Sequence, residues 1–371
     1  MTGSPAGQAS RKLWSIQALR GLAALAVVAY HAARHLGKAV DASAITRLTQ
    51  PGHAGVDLFF VLSGFIILHV HRADIGRPQA LRRYVWQRFA RLMPIYWVAL
   101  AATIALMLPR HADEVTAAGV ALSASLLPTV QDPLLGVAWT LQHEMLFYGA
   151  FALLILNRRL GLCFLALWLG WGISQFCGLV PSGLDVPRLT SVFNLQFLFG
   201  MMAAAAVASG RLNHGRRLAA FSALLLVVVG MLEATGRMDG YGSVARLAYG
   251  APSALLIAGL AGWEGQAAKP VSVPGVLTAL GDASYSLYLF HLLGIGVAWQ
   301  LWLRAGLDPA ENLAACYLFL LAGATGCGLA CHYGIERPLL QYLRSRRSAG
   351  LARGQPRDTL DPAVSAPPPT R

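Results

Sequence analysis

The chain has 371 residues, of which 56% are hydrophobic and only 13% are charged, with a mean hydropathy of +0.53. Soluble domains carry about 25% charged residues, so this composition excludes an ordinary globular enzyme and implies a polytopic membrane protein. The net charge of +13 does not call for nucleic acid, because basic residues gather in the inner loops of membrane proteins and set their orientation.

A spanning helix needs about 20 mostly apolar residues. The hydropathy pattern predicts an all-α polytopic membrane protein, a bundle of about ten such helices over 13–34, 55–71, 92–108, 139–157, 160–180, 190–208, 218–234, 244–262, 283–303 and 312–335. The segment VTAAGVALSASLL (115–127) is too short to cross and is expected to be interfacial or re-entrant. Three regions follow: an N-terminal tail (1–12), a membrane domain (13–343) and a basic, Pro-rich tail (344–371) with too little apolar surface to fold. The first apolar stretch is long and no small-residue cleavage site follows it, so no signal peptide is expected.

Charge orients the bundle. With both termini in the cytoplasm, 21 of the 30 Lys and Arg residues fall on the inner side and eight on the outer side, leaving Arg20 inside the first span. If 115–127 crossed, Arg158, Arg159 and the loop GRLNHGRR would lie outside, against the positive-inside rule. The five cysteines lie in apolar segments without metal or disulfide spacing, and Cys327 and Cys331 (i, i+4) read as small packing residues.

The first span contains ALRGLAALAVVAYH (18–31). Arg20 and His31 are eleven residues apart, which returns a helix to within about 20° of the same face, about 16 Å further along the axis. Ionisable groups inside a membrane are costly and are functional candidates. Between the second and third spans, RPQALRRYVWQRFARLMPIYW (77–97) reads as an interfacial helix carrying Arg82, Arg83, Arg88 and Arg91, with Pro94 at the start of the span that follows. Guanidinium forks suit phosphate oxygens, so these arginines are candidates for an anionic ligand.

In the fourth span, AWTLQHEMLFY (138–148) sets Thr140, Glu144 and Tyr148 on one face. Counted from the outer surface, Glu144 lies at the depth expected for His31 and is a candidate partner for it, whereas His143 points elsewhere. SYSLYLFH (284–291) opens the ninth span, with Asp282 as its expected N-cap. There Ser284 and His291 share a face, and Tyr288 lies one turn from His291.

These stretches, with GVDLFFVLSGFII (55–67) and RFARLMPIYW (88–97), occur in this order and closely resemble the acyltransferase-3 family of bacterial membrane O-acyltransferases, specifically its exopolysaccharide O-acetyltransferase branch. The resemblance covers about residues 14–340. It implies transfer of an acyl group, usually acetyl, from cytoplasmic acyl-CoA to a carbohydrate hydroxyl. By motif it maps the family's R-x10-H pair onto Arg20 and His31, its RxxRxxP element onto Arg88, Arg91 and Pro94, and its WTLxxExxxY element onto Trp139, Glu144 and Tyr148. The ninth-span histidine falls on His291.

Attack of an alcohol on a thioester needs a base for the hydroxyl proton and a donor for the developing oxyanion. His31 is the expected base, oriented by Glu144, with Arg20 and His291 as further catalytic candidates. Arg82, Arg83, Arg88 and Arg91 are expected to hold the donor. Asp57, Trp139, Tyr148, Ser284 and Tyr288 are assigned to substrate contact. No metal or tightly bound cofactor is expected; the partners are acyl-CoA as the donor substrate, a carbohydrate acceptor, free or lipid-linked, and the bilayer, with no nucleic acid. The expected location is the bacterial cytoplasmic membrane. The competing reading is a transporter or flippase, which would also bury Arg, Glu and His, although no pair of related halves is visible.

Overall fold

A computed structural model of the chain describes residues 13–109, 111–129, 131–179, 188–267 and 271–353, with side chains to residue 345. The described residues form α1 (Trp14–Leu36), α2 (Ser43–Thr49), α3 (Gly55–His71), α4 (Leu81–Met107), α5 (Ala117–Ser125), α6 (Trp139–Leu156) and α7 (Arg158–Phe176). They continue with α8 (Phe193–Ala208), α9 (Gly215–Ala234), α10 (Ser243–Gln266), α11 (Gly275–Asp282), α12 (Ser284–Arg304), α13 (Leu313–Cys331) and α14 (Arg337–Arg353). No strand occurs among them. Every predicted span has a helix at its position.

Among the described residues, eight helical stretches are long and apolar enough to cross a membrane, and the protein is a multi-pass membrane protein. The other two predicted spans depart from that standard for visible reasons. α8 has 16 residues, and α6 carries Gln142, His143 and Glu144 in its first two turns. Large apolar side chains such as Leu167 on α7, Leu224 on α9 and Leu318 on α13 are 59–70% exposed, as a lipid-facing belt requires. Inside, α3 and α8 approach so closely that a Cβ on Gly64 or Gly200 would lie about 2 Å from a carbonyl oxygen of the other helix. Such contact between small residues is the usual way helices pack in lipid.

Four expectations need correction. The arginine-rich segment and the third span are one 27-residue helix, α4, so Pro94 is interior rather than at a helix start; it removes one backbone donor there. Asp282 closes α11 and does not cap α12, because Ala283 is itself helical and leaves no extended residue for a cap. Its carboxylate accepts a hydrogen bond from Gln17 at 2.7 Å instead. α14 continues to Arg353, ten residues into the segment expected to be unstructured; 354–371, like the tail 1–12, lies outside the described residues. Finally Arg246, counted with the charges of the outer side and its helix ends, does not face solvent there: it is 4% exposed within α10.

The contacts between connecting segments follow the charge-derived topology. At one end, the backbone of Trp14 and Ser15 meets Glu264, Gln266 meets the carbonyl of Leu212, Gly76 meets that of Leu154, and Arg91 meets Glu336. At the other end, Tyr241 meets Arg34 and Gln50, and Arg188 meets Gln142. Each pair joins segments assigned to the same side, and α5, nine residues long, does not cross. Single cysteines placed at 158 and 214 are therefore expected to resist an impermeant thiol reagent in intact cells and to react after permeabilisation. Labelling of both from outside would invert the assignment.

Candidate active site

A cavity of about 170 Å³ lies inside the bundle, and a wider one of about 790 Å³ lies at the end bearing Asp282 and Arg337. Arg20, Arg88 and Arg91 line both, so the two form a vestibule leading to an inner chamber through a ring of guanidinium groups. The chamber is further lined by Ser63, Thr140, Glu144, Tyr148, Ser284 and Tyr288, among apolar residues of α3 and α4.

The arginines are held by networks that the sequence reading did not identify. An Arg88 Nη2–H donates to His71 Nε2 at 3.2 Å, His71 Nδ1–H donates to Asp74 at 2.8 Å, and Arg83 donates to the other Asp74 oxygen at 2.7 Å. Arg91 lies 3.1 Å from buried Glu336, whose second oxygen accepts from Ser286 and His332, each at 2.8 Å. His332–Glu336 is a single π-helical turn, a feature often found at functional sites. The only sequence trace of these holders is the spacing His71–Asp74 (i, i+3) and His332–Glu336 (i, i+4). Arg88 Nε is buried without a hydrogen-bond partner among the described residues. Buried donors are seldom left unpaired, and this one borders an arginine-lined cavity.

The four arginines expected to act together separate into two pairs. Arg88 and Arg91 are about 60° apart on α4, whereas Arg82 and Arg83 lie 120–140° from Arg88. Arg82 is exposed and Arg83 is engaged by Asp74. Neither lines the vestibule or chamber, and Arg20 takes their place.

Glu144 accepts a short hydrogen bond from the Tyr148 hydroxyl and another from Ser63 at 3.2 Å. It shares the chamber with Arg20 and makes no hydrogen bond to His31. The expected Glu144–His31 partnership is thus corrected. Its depth was counted from the membrane surface, but Val137 and Ala138, which precede α6, are already buried. α6 therefore starts within the bundle, and Glu144 lies in the chamber with Arg20 rather than beside His31. The Tyr288 hydroxyl pairs with Thr140 at 2.8 Å and donates to the carbonyl of Val137 at 3.2 Å. The Ser284 hydroxyl lines the chamber, buried and without a partner.

His31 is instead partnered by His291. Its Nδ1 lies 3.0 Å from the Val27 carbonyl and 3.3 Å from His291 Nε2, while His291 Nδ1 lies 2.8 Å from the Tyr288 carbonyl. Carbonyl oxygens only accept, so both Nδ1 atoms carry hydrogen in the neutral pair. His291 Nε2 is then an acceptor for the His31 N–H, and His31 Nε2 is left as a lone pair; this tautomer is assigned from the hydrogen-bond pattern. His31 is half-buried and His291 fully buried. Neither lines the chamber; the Tyr288 ring, 5.9 Å from that of His291, stands between.

Asp57 and Trp139 are placed elsewhere. Asp57 is fully buried, 2.7 Å from Arg246 and 2.5 Å from Gln196. Removing one partner of a buried ion pair costs about 3–5 kcal/mol, because the other charge is left uncompensated. Asp57→Ala is therefore expected to lower thermal stability in detergent by that order, with Asp57→Ala/Arg246→Met milder than the single variant. Trp139 lies on the face of α6 opposite the chamber lining and borders a separate cavity at the other end.

A helical membrane bundle with a cation-lined vestibule, an internal polar chamber and a histidine pair fits a membrane-embedded transferase, and the comparisons with known proteins agree. Residues 13–333 match the acyltransferase-3 family, described as an acyltransferase domain, and the chain belongs to that family. It is 33% identical over 320 residues to the exopolysaccharide production protein ExoZ of Rhizobium meliloti, covering 81% of this chain and 94% of that one. It is 26% identical to the acyltransferase MdmB of Streptomyces mycarofaciens, covering 92% and 95%. A shorter match, 35% identical over 92 residues, relates 24% of the chain to 13% of the peptidoglycan O-acetyltransferase OatA of Listeria monocytogenes. No solved structure matches the chain. The protein is an acyltransferase, which decides against the transporter reading.

Proposed function

We propose that this protein moves an acyl group, acetyl in the first instance, from cytoplasmic acyl-CoA to a hydroxyl of an exopolysaccharide sugar, in the bacterial cytoplasmic membrane with both termini inside. The observation that carries the donor assignment is the vestibule and chamber sharing Arg20, Arg88 and Arg91. Acyl-CoA is a polyphosphate with a thin thioester arm. Its phosphates match the wide basic vestibule, and its arm matches the narrow chamber directed towards Tyr288 and the histidine pair. The polysaccharide acceptor is supported by the similarity to ExoZ, which spans nearly that whole protein.

In this reading His31 Nε2 takes the proton of the acceptor hydroxyl as the oxygen attacks the thioester carbonyl. The tetrahedral oxyanion collapses, the C–S bond breaks, and His31 returns the proton to the CoA thiolate. The Val27 carbonyl and His291 together hold the His31 Nδ1–H and so present Nε2 to the reaction. Arg20 contributes positive charge near the thioester, and Glu144, fixed by Tyr148 and Ser63, keeps that side chain oriented. Ser284 and Tyr288 supply hydroxyls along the arm, and Arg88 and Arg91 hold the phosphates. Mass spectrometry of extracellular polysaccharide from strains with and without the gene tests the function: loss of acetyl substituents supports it, and unchanged acetylation contradicts it.

A further inference from the structure

At the end opposite the arginine vestibule, a second cavity of about 390 Å³ is lined by Trp139, Arg188, Ser191, Tyr241, Ser243 and Arg246, among others. We propose that this cavity is the acceptor subsite and that it holds a sugar ring bearing a carboxylate. The proposal rests on the acyltransferase reading above and adds the place and charge class of the acceptor.

Tyr241 provides the platform. It is 56% exposed, with one face of its ring stacked on His53 at 4.9 Å and 21°. Its hydroxyl is fixed by Tyr30 at 2.5 Å, Gln50 at 2.9 Å and Arg34 at 3.3 Å. A rigid aromatic face of this kind receives the C–H face of a pyranose, and the neighbouring serine hydroxyls can pair with its hydroxyl groups.

Charge supplies the second part of the argument. The lining contains two guanidinium groups and no carboxylate. Arg246 is 4% exposed and paired with Asp57 at 2.7 Å, and its Nε has no hydrogen-bond acceptor among the described residues. Arg188 has a left-handed backbone, φ +73°, rare for a residue with a side chain and characteristic of functional sites where the surroundings enforce it. That conformation is enforced by Asn194, which donates to the Arg188 carbonyl at 2.6 Å and pairs with His143 at 2.9 Å. The Arg188 guanidinium donates to Gln142 at 3.0 Å and meets Asp132, whose side chain is 81% exposed. Arg188 itself is largely buried, its side chain 18% exposed, so the replaceable partner is the solvated Asp132, whose place in the planar fork a ligand carboxylate can take.

The location fits transfer. Trp139 and His143 of α6 face this cavity, while Thr140 and Glu144 face the chamber. Tyr241 is bonded to Tyr30, whose ring lies 4.8 Å from that of His31. The acceptor cavity thus borders the Tyr241–Tyr30 pair, Tyr30 being the chain neighbour of His31, and the donor chamber ends at Tyr288 beside His291.

The test is calorimetric titration of the full-length protein in detergent with trigalacturonate, neutral maltotriose and inorganic phosphate, alongside its consumption of acetyl-CoA. The proposal expects trigalacturonate to bind at least about 10-fold tighter than maltotriose, and Arg188→Gln to remove about that factor, the scale of one charge-assisted hydrogen bond. Tyr241→Ala should weaken both sugars. Arg188→Lys, which keeps the charge without the fork, serves if the Gln variant does not fold. Equal affinity for the two sugars, binding of neither, or binding of phosphate alone, as a lipid-headgroup site would show, overturns the proposal. Absence of acetyl-CoA consumption by the parent contradicts the enzyme reading separately from these outcomes.

Discussion

His31→Ala is expected to eliminate acyl transfer while the protein still inserts, folds and binds acyl-CoA. The lone pair on His31 Nε2 has no substitute: His291 Nε2 is occupied by the His31 N–H, and Glu144 is hydrogen-bonded by Tyr148 and Ser63. Loss of general-base catalysis typically costs about 10²- to 10⁴-fold. Two companion variants separate base from support. His291→Ala should reduce the rate less and change its pH dependence, because one of the two acceptors of the His31 Nδ1–H is lost while the Val27 carbonyl remains. Glu144→Gln should reduce the rate while leaving the pH profile in place, because the carboxylate does not touch His31. Turnover of each variant across pH, with acyl-CoA binding as the folding control, checks all three. If His291→Ala eliminates transfer and His31→Ala does not, the base lies on α12.

The second large effect is expected in donor affinity. Arg88 and Arg91 line both the vestibule and the chamber, and hydrogen bonds to charged groups are worth about 1.5–3 kcal/mol each. Arg88→Ala should therefore weaken acyl-CoA binding by about 10- to 150-fold. Arg91→Ala should act similarly and also destabilise the protein, since it deprives buried Glu336 of its cation. Arg82→Ala, on the exposed side of α4, should leave affinity near the parent value. Equilibrium binding of a non-hydrolysable acyl-CoA thioether measures this ordering, and equal losses at Arg82 and Arg88 would reduce the arginines to a diffuse surface charge.

Much of the architecture is legible in the sequence because the bilayer imposes a length and an apolar composition on each helix, and because basic residues mark one side. Helical periodicity alone places Arg20 and His31 on one stripe, and Thr140, Glu144 and Tyr148 on another. Partnerships between helices are not legible in that way. Whether Glu144 meets His31 or Arg20 depends on where α6 begins, which is decided by the burial of Val137 and Ala138. His291, 260 residues from His31 in sequence, is brought to it by the packing of α1 and α12. Arg246 reads as one more charge at the outer helix ends until Asp57 is found beside it. The π-helical turn at His332–Glu336 has no periodic signal because it departs from the 3.6-residue repeat.

The central claim, that the bundle itself transfers an acyl group with His31 as base, is tested most directly with purified protein and acetyl-CoA labelled in the acetyl group. The parent should release free CoA and place label on polysaccharide in equal amounts, and His31→Ala should do neither while binding acetyl-CoA with parental affinity. Undiminished labelling by His31→Ala would contradict the account.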